Sequence, residues 1–266
     1  MSFIEKYVVE PFEYATSDWS KVLIGVLLLL IPIVLSSVLL VVYLNSGPFT
    51  PLIILGIVVL VYLIVPLIIQ VVINGYYIAV IKNTLEGLDT LPDWSNLGEI
   101  VKDGILYMIA LFIITLLLSL PAIILFIIGV YPVLATSGSY LTYTDLWNAI
   151  AYMSIIVILL LLYLLLLAVI LWVYVPLATV NFAKKGFFGF FEVVDILKKI
   201  SLGYIVMLVI YFTVYFTVAL ILWIIGVVPV IGTAISTVYS RIFYFVFFTT
   251  FFRAVAKYYM EKEGWL

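Results

Sequence analysis

Arg241 is the residue whose type and position most clearly suggest chemistry. It interrupts an apolar segment near Ala234–Phe252, about seven residues, or roughly 10 Å of helix axis, from the start of that segment. A guanidinium in apolar surroundings is costly and usually faces a polar interior, where its planar fork of donors suits a phosphate. Thr237 and Ser240 fall near Arg241 on a helical wheel of about 100° per residue. We therefore predict that Arg241, Ser240 and Thr237 form an anionic ligand-binding site.

Residues that commonly act in catalysis or metal binding are scarce. The chain has no Cys and no His, which removes thiol nucleophiles, the commonest general base and the usual zinc and haem ligands. Neither a Gly-x-Ser-x-Gly elbow nor a phosphate-binding glycine loop occurs. One acidic group could bind a divalent cation, although such groups are more often a solvated helix face: Glu86, Asp89, Asp93, Glu99 and Asp103. We predict no catalytic residue, no metal, no cofactor and no enzyme activity.

Composition places the whole chain in a lipid bilayer. Of its 266 residues, 67% are hydrophobic and 10% are charged, whereas soluble domains have about 45–50% apolar and about 25% charged residues. The net charge is −2, and the absence of a basic stripe argues against a nucleic-acid partner. A single Gln and many Ile, Val and Tyr residues are typical of a thermophile.

Six apolar segments are long enough to cross a bilayer as helices, since a span needs about 20 residues. We predict spans near Val22–Leu44, Phe49–Ile73, Ile105–Val130, Ile150–Val180, Gly203–Val228 and Ala234–Phe252. Proline falls inside four of them, at Pro32, Pro66, Pro121 and Pro176. Each proline removes a helical hydrogen bond and is expected to kink its helix. The predicted fold is an all-α integral membrane protein with six transmembrane helices.

Basic residues indicate the orientation of these spans. Eleven of the twelve Lys and Arg residues lie on one side, and the opposite loops Asn45–Pro48, Tyr131–Ala149 and Pro229–Thr233 contain none. The positive-inside rule then predicts a multi-pass protein of the cell membrane with both termini in the cytoplasm. For Arg241 this leaves a second interpretation, in which the side chain extends to the outer headgroups and pairs with Asp145.

Three segments on the basic side mix apolar and charged residues at helical spacing: Phe3–Tyr14, Trp94–Asp103 and Phe187–Ile200. They are predicted to be amphipathic helices at the cytoplasmic interface, or else extra turns of neighbouring spans. Lysine pairs at 184–185 and 198–199 could attract anionic lipid.

An internal match suggests that this unit is repeated. Residues 126–133, Phe-Ile-Ile-Gly-Val-Tyr-Pro-Val, resemble residues 223–230, Trp-Ile-Ile-Gly-Val-Val-Pro-Val. The simplest interpretation is one membrane domain, 1–266, built from three parallel repeats of an interfacial helix and two spans, at 1–85, 86–185 and 186–266. Chance similarity of Ile- and Val-rich sequence is the alternative.

Three stretches carry a resemblance to a known family. They are Val9-Glu-Pro-Phe-Glu13 followed by Asp18-Trp19, then Gly75-Tyr-Tyr-Ile-Ala-Val-Ile-Lys-Asn-Thr-Leu-Glu-Gly87, then Leu91-Pro-Asp-Trp94. With these motifs the chain resembles the archaeal polytopic membrane proteins grouped as domain of unknown function 4013. The resemblance implies the topology and supplies no activity or site residues. Within it, Tyr76 and Tyr77 are expected at the membrane interface, with their hydroxyls in water.

Two classes of function fit these features. The first is a small carrier or a protein that handles lipids or other hydrophobic ligands, which requires a cavity that reaches Arg241. The second is a non-catalytic scaffold or assembly partner for other membrane proteins, which requires an exposed aromatic strip. The predicted partners are the lipid bilayer, anionic lipid and, for the second class, a membrane protein.

Overall fold

The computed structural model describes residues 2–45, 51–136 and 143–265 of the chain, with the side chains of 51–55, 130, 132–136, 143–146 and 148–150 left aside. Most of the predicted outer loops Asn45–Pro48 and Tyr131–Ala149 therefore lies outside the described residues or has only its backbone described.

Long apolar helices make up most of the described chain, as the composition predicts. The α-helices are α1 (Glu10–Ala15), α2 (Trp19–Asn45), α3 (Pro51–Leu85), α4 (Leu97–Thr136), α5 (Tyr143–Lys185), α6 (Val193–Leu197), α7 (Leu202–Gly226) and α8 (Ile231–Lys262). Within the described residues, six of them are long and apolar enough to cross a membrane. The predicted all-α membrane fold with six spans is confirmed. The helices continue through Pro32, Pro66, Pro121 and Pro176.

Helix ends differ from the predicted ones on the basic side. Helix α3 continues to Leu85, beyond the predicted end at Ile73, and α4 begins at Leu97, before the predicted start at Ile105. The helices therefore include polar residues on either side of the predicted spans. A π-helical turn, Glu5–Val9, precedes α1, and a 3-10 turn, Phe187–Phe191, precedes α6. The predicted amphipathic segment Trp94–Asp103 is divided between a turn at Trp94 and the start of α4. Placement of these segments at a membrane interface stays a prediction.

The chain divides into two compact units. Residues 1–108 and 176–266 form one unit, and residues 109–175 form the other. The second unit is an antiparallel hairpin of parts of α4 and α5, in which the Tyr163 hydroxyl donates to the Leu118 carbonyl. The expectation of a single membrane domain stays a prediction.

Helices α3 and α4 approach closely where glycines replace side chains. A Cβ added at Gly75 would lie 1.8 Å from the Ile100 carbonyl oxygen, and one added at Gly104 would lie 2.0 Å from the Val71 carbonyl oxygen. The two backbones can therefore pack at this distance only without a side chain at these positions, as small residues allow in membrane helices. This close contact with α4 holds the C-terminal part of α3 in place.

The matched octapeptides adopt different backbone conformations. Residues 126–133 continue α4 as a helix, whereas α7 ends at Gly226 and Val230 has a φ of 63°. At the end of α7, the Thr233 hydroxyl donates to the Gly226 carbonyl at 3.3 Å and the Ser236 hydroxyl donates to the Leu222 carbonyl at 2.7 Å. These side chains satisfy carbonyls that a turn would leave unpaired. The threefold repeat stays a prediction.

Candidate functional site

Helices α2, α3 and α8 surround a cavity of about 330 Å³. It lies beside Pro32 of α2 and Pro66 of α3. Its lining consists of Leu29, Pro32, Ile33, Ser36, Ser37, Tyr62, Pro66, Ile69, Gln70 and Arg241. All of these residues belong to the larger compact unit.

Arg241 contributes a cationic group to this cavity. Its Nε atom is buried and has no hydrogen-bond partner within the described part of the chain. None of the ion pairs between described residues includes Arg241, and the predicted partner Asp145 has a side chain outside the described residues. A buried donor without a partner costs about 1–3 kcal/mol, and more when the group is charged. An anionic group in the cavity would remove this cost.

The depth of Arg241 bears on the snorkelling interpretation. Twelve residues separate Arg241 from Arg253 on α8, which corresponds to about 18 Å of helix axis. Arg253 lies among charged residues that form one polar boundary of the molecule, and a bilayer has an apolar core of about 30 Å. With Arg253 placed at the cytoplasmic boundary of that core, as the positive-inside rule predicts, Arg241 is expected past its middle, roughly 12 Å from the opposite boundary. A burial of Nε at that depth favours an interior role over a headgroup contact.

The two hydroxyls predicted beside Arg241 point elsewhere. Thr237 donates to the Thr233 carbonyl at 2.7 Å, and Ser240 donates to the Thr237 carbonyl at 2.8 Å. Neither residue lines the cavity. These bonds to the backbone of their own helix are common for Ser and Thr in apolar surroundings. Of the predicted set, only Arg241 is part of the cavity.

Polar groups from α2 and α3 join Arg241 in its place. Ser37 donates to the Ile33 carbonyl at 2.8 Å, and the Gln70 amide donates to Asn74 Oδ1 at 2.9 Å. Ser36 is 8% exposed and also lines the cavity. Sequence patterns identify these residues as polar at membrane depth, but which helix faces Arg241 depends on packing between distant segments.

Two prolines, Pro32 and Pro66, belong to the cavity lining. Because Pro32 and Pro66 have no N–H, the carbonyls four residues earlier, at Leu28 and Tyr62, lose their usual helical donor. In a bilayer such carbonyls need another partner, from a side chain, water or a ligand. The cavity therefore combines one cation, several neutral donors and acceptors, and an apolar wall.

A second arginine of α8 has a different environment. Arg253, with 3% of its side chain exposed, donates to Glu10 Oε1 at 2.7 Å, to the Leu88 carbonyl at 3.0 Å and to Asp89. Its guanidinium also lies 3.9 Å from the centroid of the Tyr14 ring. We call this group of five residues the Arg253 clamp. It joins α1, the α3–α4 turn and α8.

Burial dominates the electrostatics of this clamp at Tyr14. Loss of solvent raises the pKa of Tyr14 to about 12, and the nearby Arg253 charge offsets only part of that rise. Lys257 Nζ lies 2.7 Å from Glu10 Oε2, so the carboxylate of Glu10 faces two cations. Each nitrogen of the Arg253 guanidinium thus has a partner in the protein, whereas Glu10 Oε2, although close to Lys257, has no hydrogen bond among the described residues.

The acids predicted as a possible cation site are divided among different basic residues, since Asp89 pairs with Arg253, Asp93 with Lys21, and Glu99 and Asp103 with Lys82. Lys82 Nζ lies 3.1 Å from Glu99 Oε1 and 2.6 Å from Asp103 Oδ2. Among the described residues, no group of three or more acids has the geometry to hold a metal ion. The ammonium group of Lys82 takes the place that a metal would need.

Six apolar helices and an intramembrane cavity define a multi-pass membrane protein. A family described as protein of unknown function (DUF4013) matches residues 58–228. The chain belongs to this family, as its motifs near Gly75 and Trp94 indicate. The family description assigns no activity.

Two relatives come from the archaeon Methanocaldococcus jannaschii. The uncharacterized protein MJ1189 is 31% identical over 223 residues, which is 79% of this chain and 74% of that protein. The uncharacterized protein MJ0233 is 28% identical over 147 residues, which is 55% of this chain and 48% of that protein. No solved structure matches the chain.

Proposed function

We propose that this protein is a small membrane carrier or lipid-handling protein that holds an anionic hydrophobic ligand at Arg241. One observation carries the proposal: the buried Nε of Arg241 has no partner among the described residues, and it borders a cavity of about 330 Å³. An intramembrane Arg costs about 2.5–3.5 kcal/mol at the centre of a span on insertion scales. A bound anion that neutralises the charge of Arg241 would offset this free-energy cost.

The proposal includes no reaction. His and Cys do not occur in the sequence, and the cavity lining contains no carboxylate. Binding and release of an intact ligand fits this set of side chains better than bond cleavage does. We therefore retain the prediction that the protein is not an enzyme.

We also propose the cell membrane as its location, with the Arg253 side in the cytoplasm. The asymmetry of Lys and Arg supports this orientation. Among the two lysine pairs expected to attract anionic lipid on that side, Lys198 is the most exposed, at 71% of its side chain, and it lies 3.5 Å from Asp195. Its neighbours Lys184, Lys185 and Lys199 pair with Glu263 or Glu192.

Native mass spectrometry from mild detergent tests the ligand proposal. We expect the wild type to retain a phospholipid or polyprenyl phosphate, and Arg241→Leu to retain about tenfold less, because a charge-assisted hydrogen bond is lost. Thr237→Ala is the matched control. It lies one turn away and bonds only to its own helix, so it should retain the ligand. Equal retention by wild type and Arg241→Leu, or bare protein in both, would contradict the proposal.

One observation favours a scaffold or assembly role as the second candidate. Phe212, Phe216 and Trp223 lie on one face of α7 and are 56%, 59% and 68% exposed. The rings of Phe212 and Phe216 are stacked, with centroids 6.2 Å apart. Aromatic side chains are enriched where proteins bind each other. A stoichiometric protein partner in the same mass spectra, lost on Trp223→Ala, would favour this candidate.

A further inference from the structure

The Arg241 cavity has an edge that is exposed on the surface of α2 and α3. Among its lining residues, Ser36 and Ile69 are buried, whereas Ser37 is exposed and Tyr62 is 55% exposed. The cavity therefore runs from the buried interior near Ile69 to an opening between α2 and α3. We call the opening, marked by Ser37 and Tyr62, the lateral mouth.

The surroundings of the lateral mouth are apolar. Val34 and Val38 on α2 are 60% and 54% exposed, and Leu63 and Leu67 on α3 are 69% and 54% exposed. All four lie within membrane-spanning segments. A molecule that enters through this mouth comes from the hydrocarbon region of the bilayer and not from water.

The size of the cavity restricts what can enter completely. Pockets that enclose a drug-sized ligand have volumes of about 300–1,000 Å³, and this cavity, at about 330 Å³, is at the lower end. It can hold a compact polar headgroup, but not the two acyl chains of a phospholipid as well. The chains of a bound lipid would have to pass through the lateral mouth and remain in the bilayer.

The polar groups of the cavity match a phosphate. A planar guanidinium pairs with phosphate oxygens through parallel hydrogen bonds, and the hydroxyl of Ser36 and the amide of Gln70 lie in the same lining. A phosphate group in this cavity would neutralise Arg241, and the acyl chains of the same lipid would cover the apolar residues around the lateral mouth.

We propose that the ligand is a membrane lipid with a compact phosphate headgroup, which enters sideways between α2 and α3 and places its phosphate at Arg241. This inference rests on the proposed function and adds the class of ligand and its route. Free inorganic phosphate has the same chemistry, but it would have to reach the site from water.

Cysteine chemistry can close the lateral mouth after the protein has folded, because the natural chain has no Cys. Ser37→Cys changes one atom, and reaction with N-ethylmaleimide then adds bulk at the mouth. Val38→Cys is the matched control: it is the next residue of α2, is also exposed, and does not line the cavity. Each purified variant is delipidated, treated or left untreated, and mixed with phosphatidic acid in detergent.

We expect the maleimide to lower phosphatidic acid retention by Ser37→Cys about tenfold, because the added bulk obstructs the mouth, and to leave Val38→Cys unchanged. Excess inorganic phosphate should not displace the lipid. Equal retention by treated and untreated Ser37→Cys would overturn lateral entry, and displacement by inorganic phosphate would identify a water-borne anion as the ligand. If Arg241→Leu loses lipid while the treated Ser37→Cys keeps it, the proposed function stands and only the lateral route fails.

Discussion

Two arginines on α8 show how the same side chain can serve different purposes within one helix. Arg253 has contacts with Glu10, Asp89, the Leu88 carbonyl and the Tyr14 ring. Arg241, about 18 Å away along the helix, has a buried Nε without a partner among the described residues. One charge is fully used by the fold, and the other borders a cavity. The difference predicts that Arg253 stabilises the structure and that Arg241 costs stability.

The largest expected effect is at the saturated arginine. Arg253→Met should lower the free energy of unfolding by about 3–5 kcal/mol, because it leaves the Glu10 carboxylate without its main partner in a buried network. Thermal unfolding in detergent measures this loss. Lys257→Met, which removes the other cation near Glu10, is the matched control and should cost less. If Arg253→Met unfolds at the wild-type temperature, the clamp has no structural role.

The two acids of the clamp should differ from each other. Glu10→Gln should cost about 1–3 kcal/mol, because the side chain of Glu10 is only 22% exposed and a lost bond to a charged group is worth that much. Asp89→Asn should cost under about 1 kcal/mol, since its side chain is 85% exposed and water screens the pair. The same unfolding assay compares the two variants. An equal loss of unfolding free energy in both variants would mean that solvent exposure does not determine how much each ion pair contributes.

Replacement of Arg241 should change the free energy of unfolding in the opposite direction, towards greater stability. Arg241→Met is expected to raise the free energy of unfolding by about 1 kcal/mol, since it removes a charge from apolar surroundings. The assay needs delipidated protein, because a bound ligand stabilises the wild type by mass action. A loss of more than about 1 kcal/mol without ligand would show that Arg241 has structural partners and would remove the contrast with Arg253.

The smallest expected effect concerns pH at a neighbouring ion pair. Hydrogen bonds from Lys199 and Lys184 hold the pKa of Glu263 below its ordinary value of 4.5. This carboxylate therefore contributes stability above that value, and the contribution is lost as the pH falls through the lower pKa of the folded state. Wild type should be more stable than Glu263→Gln by under about 1 kcal/mol at pH 7, and the difference should disappear as the pH falls through the lowered pKa of Glu263. A constant difference across this range would contradict the assignment.

Sequence patterns predicted the six spans, because a bilayer imposes the same length and apolarity on every helix that crosses it. They also singled out Arg241, since a charge in an apolar segment is rare. They could not predict its neighbours. Ser36 and Gln70 meet Arg241 through contacts between helices far apart in the chain, whereas a helical wheel only compares residues within one helix, and so it selected Thr237 and Ser240.

The expectation that the hydroxyls of Tyr76 and Tyr77 lie in water was wrong, for a similar reason. Tyr76 and Tyr77 are 0% and 2% exposed. Tyr76 stacks on Trp94 with ring centroids 4.1 Å apart, and its hydroxyl donates to the Pro92 carbonyl at 3.3 Å. A turn that folds back over the end of α3 covers these rings, and composition alone does not reveal such a turn. The structural role of Arg253 was not predicted, because in the sequence it is one of several basic residues that follow an apolar segment.

The Arg253 clamp also sets an order of events during biosynthesis. Glu10 and Arg253 are 243 residues apart, and ribosomes add about 5–20 residues per second. The N-terminal helix is therefore complete on the order of ten to fifty seconds before its anchor emerges. Until then, Tyr14 and Ala15, which are buried in the folded protein, lack helix α8. The clamp can therefore form only after α8 has been made, and a chain that stops before α8 cannot hold α1 in this way.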